Sequence, residues 1–187
     1  MIDYPIHFID VETTHLNPEI GEIIQICIVS VDQTGAIYQD WTAKIRPLNI
    51  ERADLKSLQV NGYTKERWHG TKPFAVYADK IYQTLKKGTI IGHNIKFDQT
   101  WINYHLSKNG YGNVTYKSIC TQQLAREHLP FVNVSLNSCR AFFSLDQSNA
   151  HNARWDVLHC RILFLKLWQA TTLKRLFWRL KWILRHN

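Results

Sequence analysis

The stretch that most constrains this chain is residues 6–14, IHFIDVETT, an apolar run that ends in two carboxylates and a polar turn. Ile6, Phe8, Ile9 and Val11 give it the character of a strand entering a core. Side chains two apart on a strand share a face, so Asp10 and Glu12 project side by side at its end. Like charges so placed repel each other unless a cation lies between them. Carboxylate oxygens are hard ligands, suited to Mg²⁺ or Mn²⁺ rather than to zinc. Taken alone, the pattern reads better as a solvated strand end. Its meaning depends on whether later segments bring further carboxylates to the same place.

The order of the segments bears on that. Residues 22–31 are rich in β-branched side chains and read as a second strand, and a tight turn at 32–35 leads into a third at 36–46, with Ile37, Trp41 and Ile45 as its buried candidates. A short helix over 54–60 precedes a longer one over 73–87, where Phe74, Tyr77, Ile81 and Leu85 recur at helical spacing. A buried strand over 89–92, a helix over 97–108 and a fifth strand over 116–120 follow. Helices over 122–128 and 135–143, a polar loop over 144–152 and a long helix over 153–168 complete the pattern. Strands first, then alternating helix and strand, predict a single α/β domain built on a mixed sheet.

Charge narrows the partners. The chain of 187 residues carries a net charge of +8, which favours an anionic partner, nucleic acid first. Five of those net charges fall after residue 170, as Lys174, Arg175, Arg179, Lys181 and Arg185. Cys27, Cys120, Cys139 and Cys160 form no C-x-x-C pair and predict reduced thiols, mostly buried. With a start that runs directly into strand-like sequence, they lead to an expected cytoplasmic location. No apolar run approaches the roughly 20 residues that a membrane-spanning helix needs.

Three segments carry the chemistry: Asp10-Val11-Glu12, then Gly92-His93-Asn94-Ile95-Lys96-Phe97-Asp98, then His151-Asn152-Ala153-Arg154-Trp155-Asp156. Singly, Asp98 and Asp156 also read as first-turn residues that complement a helix dipole, and His151 as a loop histidine. In order and spacing, the three segments resemble the exonuclease motifs of the DEDD superfamily. The histidine five residues before the last aspartate resembles the DEDDh branch, the DnaQ-like 3′→5′ exonucleases. Val60-Asn61-Gly62-Tyr63-Thr64 and Leu124-Ala125-Arg126 add to the likeness, which spans about residues 5–165.

The resemblance implies a ribonuclease H-like fold, with a five-stranded mixed sheet flanked by helices, in an exonuclease domain over 1–170. It implies a metal-dependent 3′→5′ exonuclease that releases nucleoside 5′-monophosphates from nucleic acid 3′ ends, preferably single-stranded, DNA or RNA. Phosphodiester hydrolysis suits two divalent ions roughly 3.5–4 Å apart, Mg²⁺ or Mn²⁺, with Asp10, Glu12, Asp98 and Asp156 as expected ligands. An imidazole near its ordinary pKa of about 6.5 suits the general base, and His151 is the expected one. The segment after D-x-E, namely Thr13, Thr14, His15 and Leu16, is expected to hold the terminal nucleotide. His93 and Asn94 either contact substrate or order the turn before their helix.

The C-terminal stretch 171–187 predicts a basic amphipathic helix with Trp178 and Trp182 among its apolar positions. It packs on the domain, or it docks on a membrane surface or a protein partner. A homodimer is a further expectation from the resemblance. Two other readings stand beside the free enzyme. One is a nucleic-acid-binding or polymerase-tethered proofreading module, and the other is a docked nuclease effector.

Overall fold

The computed structural model describes residues 2–114, 117–148 and 152–186, with side chains described as far as residue 170. Five strands form one sheet: β1 (Ile6–Thr13), β2 (Ile23–Val31), β3 (Ile37–Lys44), β4 (Thr89–Gly92) and β5 (Lys117–Cys120). Their order is β3-β2-β1-β4-β5. β1, β2 and β3 pair antiparallel, whereas β4 and β5 run parallel to β1. Six helices accompany them: α1 (Leu55–Val60), α2 (Phe74–Leu85), α3 (Ile95–Lys108), α4 (Thr121–His128), α5 (Leu136–Phe142) and α6 (Ala153–His186).

Alternation along β1 divides the interior into two layers. Ile9 and Val11 join Ile26 and Ile28 under α2 and α3, against Ala78, Ile81, Trp101 and Leu106. Ile6 and Phe8 join Cys27 and Val29 on the opposite face, under α4 and α6, against Leu124, Val157 and Phe164. Asp10 and Glu12 continue the even-numbered row and so lie on the face that α6 covers. With helices on both faces, β2 is buried at every position, which explains its nearly unbroken apolar sequence.

β1 is longer than its parallel neighbour. It pairs with β2 along its whole length but with β4 only at Ile6, His7 and Phe8. Beyond Phe8 the β4 side of β1 is open, and the carboxylates stand at that opening. The start of β4 depends on Gly88, whose φ of +87° is costly for any other residue. A Cβ there would lie 1.9 Å from the Pro5 carbonyl oxygen, which accepts the Thr89 N–H at 2.9 Å. Gly88→Ala is therefore expected to cost about 2 kcal/mol or more, read as a lower denaturant midpoint at unchanged slope.

Three local expectations are revised. Ile37 is 44% exposed, because β3 is an edge strand whose first residues run past the helices. Ile45 lies just beyond the end of β3 and is buried through a bridge to Lys72. α3 begins at Ile95, two residues earlier than its apolar spacing suggests, because Asn94 takes a left-handed conformation (φ 71°) that turns the chain straight into it. α6 runs unbroken from Ala153 to His186, so no interruption separates the long helix from the basic C-terminal stretch. The side chains of 171–187, and with them the expected amphipathic face, lie outside the described residues. All four cysteines are free, and three are buried. Among the described residues no helix is long and apolar enough to cross a membrane.

Candidate active site

The end of β1 delivers Asp10 and Glu12 to one face, and the first turn of α6 delivers Asp156 to the same place. α6 starts after Asn152, whose side-chain oxygen accepts the Arg154 N–H at 3.2 Å and whose carbonyl accepts the Asp156 N–H at 3.0 Å. One oxygen from each of Asp10, Glu12 and Asp156 lies within 4.8 Å of the others. An all-carboxylate set at that spacing, with no sulfur or imidazole in it among the described residues, fits a hard divalent cation.

Asp98 arrives from the other layer. It lies in the first turn of α3, is 3% exposed, and its Oδ1 accepts the Val11 N–H at 3.0 Å. With β4 already ended, that N–H has no strand partner, and the carboxylate takes the place of one. This contact keeps Asp98 beside the group of three but outside it.

The electrostatics follow from this crowding. Desolvation raises the Asp10 carboxyl well above the usual range, and the charges of Asp98, Glu12 and Asp156 raise it further. Desolvation, with Asp156 and Asp98 beside it, pushes Glu12 up to about 8. Burial likewise lifts Asp98 to about 8, against the pull of the Val11 N–H. Without a cation the site therefore holds protons near neutral pH, and a bound cation would displace them.

A cavity of about 370 Å³ adjoins the carboxylates and shares Glu12 with them. Its walls are largely apolar, from Val11, Leu16, Val60 and Phe97, with Ser57 and Asn61 as polar points. The segment after β1 is fastened to α1 on this side. The Asp54 N–H donates to the Thr14 carbonyl at 2.8 Å, and Asn61 Nδ2 donates to the Thr13 carbonyl at 3.0 Å. Thr13 and Thr14 are buried: Thr13 Oγ1 donates to the His15 carbonyl, and Thr14 Oγ1 accepts the Glu22 N–H. Leu16 is 77% exposed at the cavity rim. His15 packs where Gly21 comes close, and a Cβ on Gly21 would lie 2.6 Å from that of His15.

His93 is committed elsewhere. Its Nδ1 meets Thr121 Oγ1 at 3.0 Å and its Nε2 meets the Val134 carbonyl at 2.8 Å, so the ring ties the turn before α3 to α4 and to the segment before α5. Burial holds it at about 4, hence neutral. Asn94 is exposed and makes the left-handed turn. His151 lies outside the described residues.

Residues 7–164 match the exonuclease family typified by ribonuclease T. The chain belongs to this DnaQ-like exonuclease family. Among curated relatives, it is 29% identical over 161 residues to the 3′-5′ exonuclease DinG of Bacillus subtilis, covering 85% of this chain and 17% of that protein. It is 27% identical over 158 residues to the PolC-type DNA polymerase III of Thermotoga maritima, covering 84% of this chain and 11% of the polymerase. To ribonuclease T of Buchnera aphidicola subsp. Baizongia pistaciae it is 25% identical, covering 88% of this chain and 83% of that enzyme. The chain thus spans a small part of the first two relatives and most of the third. Escherichia coli exonuclease I, solved in complex with a dT13 oligonucleotide, superposes with a TM-score of 0.79 at 18% identity over 92% of this chain and 42% of that one. The mixed sheet and its flanking helices are the ribonuclease H-like fold.

In this exonuclease domain one residue beside the carboxylates escaped sequence reasoning. Arg140, from α5, is 1% exposed; its Nη2 donates to Asp156 Oδ1 and its Nη1 to Asn137 Oδ1 at 2.9 Å. The available signal was local. An arginine among the apolar positions of a short helix, with no acid within a helical turn, needs a partner from elsewhere.

Proposed function

We propose that the chain is a metal-dependent 3′→5′ exonuclease of the DEDDh type, which shortens single-stranded DNA or RNA from its 3′ end and releases nucleoside 5′-monophosphates. The observation that carries this reading is the convergence of Asp10, Glu12 and Asp156 beside a cavity that shares Glu12 and has the volume of a small-ligand site. The name of the DinG relative supports the direction, and the oligonucleotide on exonuclease I supports a single-stranded substrate.

Asp10, Glu12, Asp98 and Asp156 would hold the cations. Two divalent ions, Mg²⁺ or Mn²⁺, would supply an activated water and offset charge on the phosphate and the leaving oxygen when bound. Leu16 and Val60 receive the terminal base on an apolar surface. Thr13, Thr14 and His15 set the path of the backbone around it, and Asn61 holds that path in place. His93 and Asn94 act by shaping the approach to Asp98. His151 takes the proton from the attacking water. The basic stretch 171–187 either packs on the domain or docks on a protein or a membrane surface, and pairing as a homodimer belongs to the same proposal. A tethered proofreading module is the second reading, favoured by the small share of DinG and PolC that the chain matches.

The test uses 5′-labelled single-stranded DNA and RNA with Mg²⁺, Mn²⁺ or EDTA, beside a 3′-blocked strand. The expected result is a metal-dependent ladder shortening from the 3′ end, absent with EDTA and on the blocked strand. His151→Ala should slow it about 10²- to 10⁴-fold, the usual worth of a general base. Binding without cleavage in either metal would overturn the enzyme reading.

A further inference from the structure

We propose that Arg140 is a positioning residue that orients Asp156 while the site lacks its cation and weakens the hold of the site on that cation. The inference rests on the metal-dependent reading above and concerns how tightly the metal is kept.

The carboxylates of the site come from β1, α3 and α6, and α5 adds one guanidinium to them. It is almost wholly buried, and a guanidinium keeps its charge throughout the working range. Its two terminal nitrogens are engaged by Asp156 Oδ1 and Asn137 Oδ1, but its Nε is buried with no hydrogen-bond partner among the described residues. Hydrogen bonding therefore leaves the group incompletely satisfied, and attraction to the surrounding carboxylates has to offset its desolvation.

Two consequences follow for a cation. Asp156 Oδ1 already accepts a hydrogen bond from a cationic donor, which makes that carboxylate a poorer donor to a metal. The cation must also settle beside a fixed positive charge that shares this ligand. Both effects lower affinity without removing a ligand. In the same contact, the guanidinium holds Asp156 facing the site between loadings, so the carboxylate is in place when a cation arrives. A simple structural tie between α5 and α6 would predict no gain in metal affinity when Arg140 is lost.

Mn²⁺ binding to the full chain, followed by electron paramagnetic resonance and calorimetry, separates these possibilities. The variants are Arg140→Met, which loses charge and hydrogen bonds, Arg140→Gln, which keeps a donor without charge, and Arg140→Lys, which keeps the charge. Arg140→Met and Arg140→Gln are expected to bind Mn²⁺ about tenfold more tightly than the wild type, the scale of one charge near a partly buried site, and Arg140→Lys to stay close to the wild type. The gain in melting temperature on adding Mn²⁺ should be larger in the two neutral variants. In an Asp156→Asn background the effect of Arg140→Gln on Mn²⁺ affinity should shrink, as for coupled residues. Unchanged or weaker Mn²⁺ binding by both neutral variants, in a chain whose wild type binds it, overturns the role of Arg140 alone. No Mn²⁺ bound by the wild type or by any variant overturns the metal-dependent reading and this inference with it. Should Arg140→Met fail to fold, Arg140→Gln against Arg140→Lys decides the same point.

Discussion

Asp10→Asn is expected to lose hydrolysis by at least about 10³-fold, equivalent to about 4 kcal/mol of transition-state stabilisation, while melting no lower than the wild type in EDTA. Burial and the charges of Asp98, Glu12 and Asp156 raise the Asp10 carboxyl well above its usual range. The amide keeps its shape and removes its charge. In the proposed mechanism Asp10 would be one of the residues holding the cations, so the loss should fall on the chemical step. In the metal-free protein the same change relieves repulsion at the end of β1, so stability should hold or rise. The two readouts thus move in opposite senses, unlike those of a variant that merely unfolds. Initial rates on a labelled 3′-accessible strand and melting curves with and without Mg²⁺ check both, and a fully active Asp10→Asn protein would sink the carboxylate-centred reading.

The second large effect concerns pH. Glu12 and Asp98 titrate near 8 in the folded, metal-free protein, well above their unfolded values. A raised carboxyl means that the folded state holds the proton more tightly than the unfolded one. The stability it confers is complete below about pH 4, where both states are protonated, and is lost as pH rises towards 8. Stability in EDTA should accordingly fall by on the order of a few kcal/mol from these groups between about pH 5 and 8. His93 and His105, both held near 4 by burial, act in the other direction, since they oppose folding only as pH falls below about 6.5. Comparison with a Mg²⁺-saturated sample cancels their part. The stabilisation conferred by Mg²⁺ should therefore be small at pH 5 and grow towards pH 8, as denaturant titrations at several pH values would show. A gain that is flat across this range would mean that the carboxylates are already ionised without a cation.

Much of the frame was legible because strand alternation and element order are local signals with global consequences. The period of two in residues 6–14 placed Asp10 and Glu12 on one side. The run of three strands before the helices pointed to a mixed sheet. What escaped was set by tertiary partners. Ile37 looks like a core residue until β3 proves to be an edge. The two-residue advance of α3 depends on one asparagine adopting a left-handed conformation. Nothing in the spacing indicates that Asp98 reaches its place by accepting a backbone N–H that β4 stops short of. Arg140 was visible only as an arginine out of keeping with its helix, because its partner Asp156 lies sixteen residues away on another element. The reading of His93 was left open between substrate and turn, and its ring hydrogen-bonds Thr121 and the Val134 carbonyl, which the spacing did not indicate.

The early end of β4 beside β1 has a consequence for descent as well as for chemistry. The opening in which the carboxylates stand is made by backbone pairing and by the lengths of two strands, and of the four acids only Asp98, which accepts the Val11 N–H, is tied into that frame. A lineage could therefore exchange the other ligands by substitution and still inherit the slot. Its proteins would stop cutting strand ends and keep a ready-made place in which to hold them.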